Sequence, residues 1–421
     1  MLRPRQTVFA CAVAATLAAG CGASGSTTIL TFSGSALGPE ADVVKRQLAR
    51  FAAQHPNVDV WLRVTPDAAD QRHQLYVQWL NARAPEPDVL QLDVIWTAEF
   101  AGAGWIRPLE EQDTDFVAAA WQAAHWRGTL FALPWFVDVG LLYWRTDLME
   151  SAPRSIARLR DDATRLAGGP ARLGLVWQGA RYEGLVTVFL EHLAACGGRI
   201  LDGRGRVVVD EPAAIEALTF MRDALDSGGF VPPSVLAWQE EQTRFAFQNG
   251  DAVFMRNWPY AWALLQDRGQ SAVAGRFAVA PFPATVNGRP AAALGGAELA
   301  VNRWSRHPDL AEALARFLTA PEQMLERARV AAQLPARRSL YDDPALADAL
   351  PIPLEQVRAA LDAAVSRPVT PVYTELSEIL QVELHRALTG QSTPEAALHS
   401  AASGMRTLLA RSGLADEGLP R

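Results

Sequence analysis

The chain has 421 residues, 49% hydrophobic and 20% charged, with a net charge of −7. That length implies two or three domains, and the composition supports a large buried core. An acidic chain without a basic stripe excludes a nucleic-acid-binding surface.

The N-terminus carries Arg3 and Arg5, then an apolar run over residues 8–17. Small residues follow in Leu17-Ala18-Ala19-Gly20-Cys21. A basic start, a short apolar stretch and a small-residue cleavage site make a secretory signal over residues 1–20. The cysteine directly after the small residues predicts lipoprotein processing, with Cys21 acylated and residues 21–27 as a tether. Ala18 stands where the lipoprotein pattern usually has leucine. The apolar run is shorter than the roughly 20 residues a bilayer-spanning helix needs. Loss of Arg3 and Arg5 brings the net charge to −9. Cys11 lies in the apolar run, so Cys196 alone remains beyond Cys21. No intramolecular disulfide is expected, and Cys196 reads as a buried small residue at a helix end.

Residues 28–32 read as a strand, 34–39 as a loop and 40–53 as a helix with Val43, Val44, Leu48 and Phe51 on one face. A second strand over 58–64, a helix over 70–82 and a third strand over 88–94 follow. This β-α-β-α-β order predicts a mostly parallel sheet covered by helices. Ligands in such sheets sit beyond the carboxyl ends of strands, where the loop after Phe32 and residues 93–96 fall. Residues 130–144 read as a strand crossing between two lobes. Strands alternate with helices from 172 to about 283, including a helix that stops at Gly250 before another strand. Residues 293–301 form a strand carrying Gly295 and Gly296. Residues 308–317 and 355–364 are amphipathic helices, and helices over 378–387 and 394–409 close the chain.

The seven histidines offer no i, i+4 pair for a metal, and no nucleophile elbow or phosphate-cradling loop is present. No cofactor or metal is expected. Thirteen tryptophans are unusual. Trp96, Trp135, Trp144, Trp177, Trp258 and Trp262 lie near acids, arginines or prolines. Ring faces beside carboxylates suit a sugar, whose C–H faces stack and whose hydroxyls need partners. A tryptophan-rich core explains the same count. Gly295-Gly296 marks either a turn or a close backbone approach. Glu40 opens a helix, where an acid also favours the helix dipole. Asp93 ends a strand, and Asp138 sits in an apolar run, where an unpaired charge is costly. Such an acid serves a partner arginine, a cap or a ligand. Two cleft carboxylates could also hydrolyse a glycoside.

Several runs together carry a resemblance: Asp88-Val-Leu-Gln-Leu-Asp-Val-Ile-Trp96, Leu133-Pro-Trp-Phe-Val-Asp-Val-Gly-Leu-Leu-Tyr-Trp-Arg145, Val176-Trp-Gln-Gly-Ala-Arg-Tyr-Glu-Gly-Leu185, Arg256-Asn-Trp-Pro-Tyr-Ala-Trp262, Leu294-Gly-Gly296 and Arg367-Pro-Val-Thr-Pro-Val-Tyr373. In order, they resemble the extracellular sugar-binding lipoproteins of ABC importers. Within these the chain looks like the trehalose/maltose-binding proteins, including the mycobacterial trehalose-recycling lipoproteins. The resemblance implies an α/β, two-lobed periplasmic-binding-protein fold. Each lobe would be a mostly parallel sheet flanked by helices, with the ligand cleft between lobes. Lobe one would span 28–137 plus 293–340, and lobe two 138–292 plus 341–421. The ligand-binding residues implied are Glu40, Arg72, Asp93, Trp96, Phe136, Asp138, Trp258, Gly295, Gly296 and Arg367. Phe136 stands where such binders can have tyrosine, and Ala297 where they can have tryptophan. Ala297 leans toward the mycobacterial group and Asp138, where that group has asparagine, leans away. The implied function is capture of an α-linked glucose disaccharide, trehalose first and maltose-type next. A monomer anchored to the membrane by lipid, facing the periplasm or cell exterior, would deliver it to permease subunits with cytoplasmic ATPases. It would not be an enzyme; an extracellular carbohydrate-active enzyme is the alternative.

Overall fold

The computed structural model describes residues 27–35, 39–66, 69–226, 229–286 and 288–414. The signal segment, Cys21 and all of the tether except Thr27 lie outside the described residues.

The first sheet is built on Thr28–Gly34, which pairs in parallel with Val58–Val64 on one side and Val89–Asp93 on the other. Its last five residues are buried, as a strand covered on both faces must be. The helix Pro39–Gln54 turns Val43, Val44, Leu48 and Phe51 inward, the stripe its periodicity predicts. Beyond Val89–Asp93 the sheet continues through Ala292–Val301, Ala132–Val139 and Leu334–Pro335, each antiparallel to the strand before it. The second sheet runs in the order Phe277–Ala280, Leu141–Arg145, Ala252–Asn257, Leu173–Val176. Only its last pair is parallel.

Both sheets are therefore mixed rather than mostly parallel, the one departure from the expected α/β architecture. The cause is topological. A strand leaving one lobe and the strand returning to it cross the same sheet in opposite directions. Ala132–Val139 leaves the first sheet and runs on, past Gly140, into Leu141–Arg145 of the second. Ala292–Val301 returns. The short strand Ala364–Val365, expected in lobe two, pairs in parallel with Ala292–Ala293 at the foot of that returning strand.

Gly140 has a steric reason. A Cβ there would run into the carboxylate of Glu191 and the guanidinium of Arg256. Those two side chains form a buried ion pair at 2.6 Å behind the crossing. Glu191 belongs to the helix Glu183–Ala195, which is buried on every face. Cys196 caps that helix as a buried free thiol, and burial pushes its pKa up to about 12. Helices Tyr373–Leu388 and Pro394–Arg411 pack on one another and complete the second body.

A cleft between the two sheets

A cleft of about 490 Å³ opens where strand ends of the two sheets face each other, a volume within the roughly 300–1,000 Å³ usual for small-molecule sites. Nine of the ten expected residues line it: Glu40, Arg72, Asp93, Phe136, Asp138, Trp258, Gly295, Gly296 and Arg367. Trp96 does not. It caps the helix Thr97–Gly102, is 2% exposed, and stacks on Phe100 with ring centroids 6.3 Å apart. Its link to the cleft is indirect: the Arg72 guanidinium lies 5.4 Å from its ring. Trp135, Trp144, Trp177 and Trp262 are buried as well. Among the described residues Trp258 is the one tryptophan lining the cleft. The core explanation thus holds for the other five tryptophans singled out above.

The first-sheet wall is organised around carboxylates. Glu40 accepts hydrogen bonds from Gln333 Nε2 at 3.0 Å and Arg327 Nη2 at 3.2 Å. Arg327 is itself buried, 3.7 Å over the Trp135 ring, and burial lowers its pKa to about 10, so it stays charged at neutral pH. Asp93 Oδ1 accepts from the Ile95 amide and, at 3.1 Å, from Arg367 Nη2. The other arm of Arg367 reaches Glu183 of the second body at 2.9 Å. Arg367 therefore ties the two walls together. Glu183 also accepts from Tyr373 Oη and Ser377 Oγ. Burial raises its pKa, and Arg367, Ser377 and Tyr373 pull it back.

The second-sheet wall presents Trp258. Its inner face is covered by Arg256, whose guanidinium lies 3.9 Å from the ring and is held by Glu191 and by Gln178 Oε1. Its Nε1 points to Glu240 Oε1 at 3.4 Å, and its amide is fixed by Asn257 Oδ1 at 2.8 Å. Gly295 sits 3.2 Å from the indole edge, counted from where a Cβ would stand. Gly296 has φ +123°, and a Cβ there would strike the Phe136 carbonyl. Both glycines lie inside the strand Ala292–Val301, so the close-approach reading applies to the pair and the turn reading does not. Farther out, Glu241 accepts from Tyr260 Oη at 2.7 Å and pairs with Arg244.

Tyr182, Glu183, Glu240, Glu241, Arg244 and Tyr260 line the cleft without having been singled out from sequence. Tyr182, Glu183 and Tyr260 lie inside the quoted runs, which was a usable signal. Glu240 and Glu241 open the helix Glu240–Gln248, where an acid reads as a dipole partner.

Asp138 differs from Glu40 and Asp93. It pairs across the sheet with Gly295 and no side chain hydrogen-bonds it among the described residues. Burial, then the nearby charges of Glu40 and Asp93, push its pKa up to about 7 against the pull of Arg256 and Arg327. A carboxyl that holds its proton more tightly folded than unfolded costs stability as pH rises. The window runs from about 4, its ordinary value, to about 7. The buried Glu298, whose pKa burial raises well above its ordinary value, adds a loss of the same sign. Asp138→Asn should leave stability nearly unchanged at pH 4 and raise it at pH 8 by on the order of 2 kcal/mol. Urea unfolding of both proteins at the two pH values checks this; an unchanged difference between them would refute it.

A larger hollow, about 850 Å³, lies behind residues 364–369. Arg199, Arg289 and much backbone line it, and its single carboxylate, Asp202, is bound to Arg206.

Two α/β bodies joined by crossing strands, with a polar cleft between facing strand ends, define a bilobal ligand-binding protein. The chain belongs to the bacterial extracellular solute-binding proteins, whose family pattern matches residues 38–325. A probable ABC transporter-binding protein of Deinococcus radiodurans is 34% identical over 408 residues, covering 93% of this chain and 96% of that one. Maltose-bound MalE3 of T. maritima superposes with a TM-score of 0.84 at 40% identity, over 91% of this chain and all of that one. The GacH receptor of Streptomyces glaucescens, solved unliganded and with acarbose, gives 0.81 at 26% identity over 91% and 99%.

Proposed function

We propose that this protein captures an α-linked glucose disaccharide, trehalose first and maltose-type next, and delivers it to an ABC permease driven by cytoplasmic ATPases. One observation carries this: a single indole, braced from behind by Arg256, faces a cleft rich in carboxylates and amides. A flat apolar face serves a pyranose C–H surface, and fixed charged acceptors serve its hydroxyls. The T. maritima relative was solved with maltose and the S. glaucescens relative with acarbose, which supports a glucose-type ligand. Glu40, Arg72, Asp93, Phe136, Asp138, Trp258 and Arg367 would contact it. Lobe one would comprise 28–137 plus 293–340 and lobe two 138–292 plus 341–421, closing about the crossing strands on the sugar.

Two of the cleft acids lack the chemistry of a general acid. Glu40 and Asp93 are each bound to an arginine, which suits a fixed acceptor rather than a general acid. Calorimetric titration with trehalose, maltose and maltotriose, followed by a glucose-release assay, tests the assignment. Binding without glucose release supports it, and release abolished by Asp138→Asn would replace it with the enzyme.

We further propose that Cys21 carries the lipid that holds a monomeric protein at the membrane, facing outward. Among the described residues no helix is long and apolar enough to cross a bilayer. Several acyl chains anchor firmly where one does not. Cys21→Ser should move the protein from the membrane fraction to the soluble fraction of disrupted cells. Retention equal to wild type would refute the anchor.

A further inference from the structure

Glu40, Asp93 and Asp138 all line the first-sheet side of the cleft. Two of them are neutralised: Glu40 by Arg327 and Asp93 by Arg367. Arg256, the remaining cation behind Asp138, is already spent on Glu191. Of these three Asp138 alone has no ion-pair partner, and the cleft lining as a whole carries six carboxylates against three arginines, Arg72, Arg244 and Arg367. We infer that the cleft accepts, besides neutral disaccharides, glucose disaccharides in which one hydroxyl is replaced by a protonated amine, with the ammonium seated on Asp138. This rests on the sugar-binding assignment of the same cleft.

Among the described residues no arginine or lysine pairs with Asp138, so a small cation brought to it would meet an unpaired carboxylate. A metal ion is not the natural occupant. Among the described residues no three metal-ligating side chains converge. An ammonium on a sugar ring needs no such cage: the indole and the neighbouring acceptors hold the ring, and one carboxylate takes the charge. A hydroxyl in that place gives a charge-assisted bond to Asp138, whereas an ammonium gives an ion pair. Asparagine still offers an acceptor but no charge, so Asp138→Asn separates the two.

The test titrates, at pH 7.5, the neutral disaccharide that binds wild type and its monoamino derivatives, one for each ring hydroxyl. At least one derivative should bind wild type as tightly as the parent or more so. Asp138→Asn should weaken that derivative at least 10-fold more than it weakens the parent, and added salt should weaken it selectively. A cooperative thermal melt of Asp138→Asn at or above the wild-type temperature shows that the variant is folded. If every derivative binds less well than the parent by the same ratio in both proteins, the inference is wrong and the sugar assignment stands. If no neutral disaccharide binds wild type, the sugar assignment falls and the inference with it.

Discussion

Trp258→Ala should lower disaccharide affinity by about 100-fold, near 2.7 kcal/mol, while costing less than the roughly 3–5 kcal/mol of stability typical of a fully buried tryptophan. The expected split follows from how the ring is held. One face rests on Arg256 and its edge on Gly295, so those contacts vanish in the variant. Arg256 does not lose its partners, because Glu191 and Gln178 satisfy it independently. The backbone carbonyl of Trp258 keeps its bond from Tyr143 Oη at 2.8 Å, so the loop keeps its path. What disappears is the preformed apolar face, rigid before ligand arrives and therefore cheap to bind against. Calorimetry and thermal melting on one preparation decide the matter. A variant that melts far below wild type yet binds sugar normally when folded would make Trp258 a core residue and remove the stacking role.

Local elements were legible from sequence, and their partners were not. The helix Pro39–Gln54 and the strand Val58–Val64 fall where the apolar period puts them. Period says nothing about which strand lies beside which, so the antiparallel crossing strands had to be seen in three dimensions. The tryptophans show the same boundary. Trp135 and Phe136 are neighbours in one strand, and successive strand residues point to opposite faces. Trp135 is therefore fully buried while Phe136 lines the cleft. Nearness of a tryptophan to an acid along the chain carried no information about nearness in space. Arg327, which neutralises Glu40, lies 287 residues away in a helix with no motif of its own, Pro321–Ala331. Glu183 reaches Arg367 across 184 residues. The cleft's anchoring acids were visible as unusual residues, but the counter-ions that decide what each acid can do were set by the fold alone.

Arg367→Met tests the most consequential of those counter-ions. The arginine is buried and bridges Asp93 on one wall to Glu183 on the other. Methionine fills comparable volume without charge, so the loss is electrostatic rather than a cavity. Removing one member of a buried ion pair leaves the others uncompensated and typically costs about 3–5 kcal/mol. Here two carboxylates are stranded at once, although Glu183 keeps Tyr373 and Ser377. The pH dependence has a definite sign. Without the guanidinium, Glu183, whose pKa burial already raises, holds its proton more tightly folded than unfolded. Stability then falls as pH rises above about 4, the ordinary carboxyl range. The deficit should therefore be small at pH 4 and near its full size at pH 8, as read by urea unfolding. Adding Glu183→Gln to Arg367→Met should recover part of the loss at pH 8 and little at pH 4. Equal stability of Arg367→Met and wild type at pH 8 would show that the bridge contributes nothing to holding the two walls together.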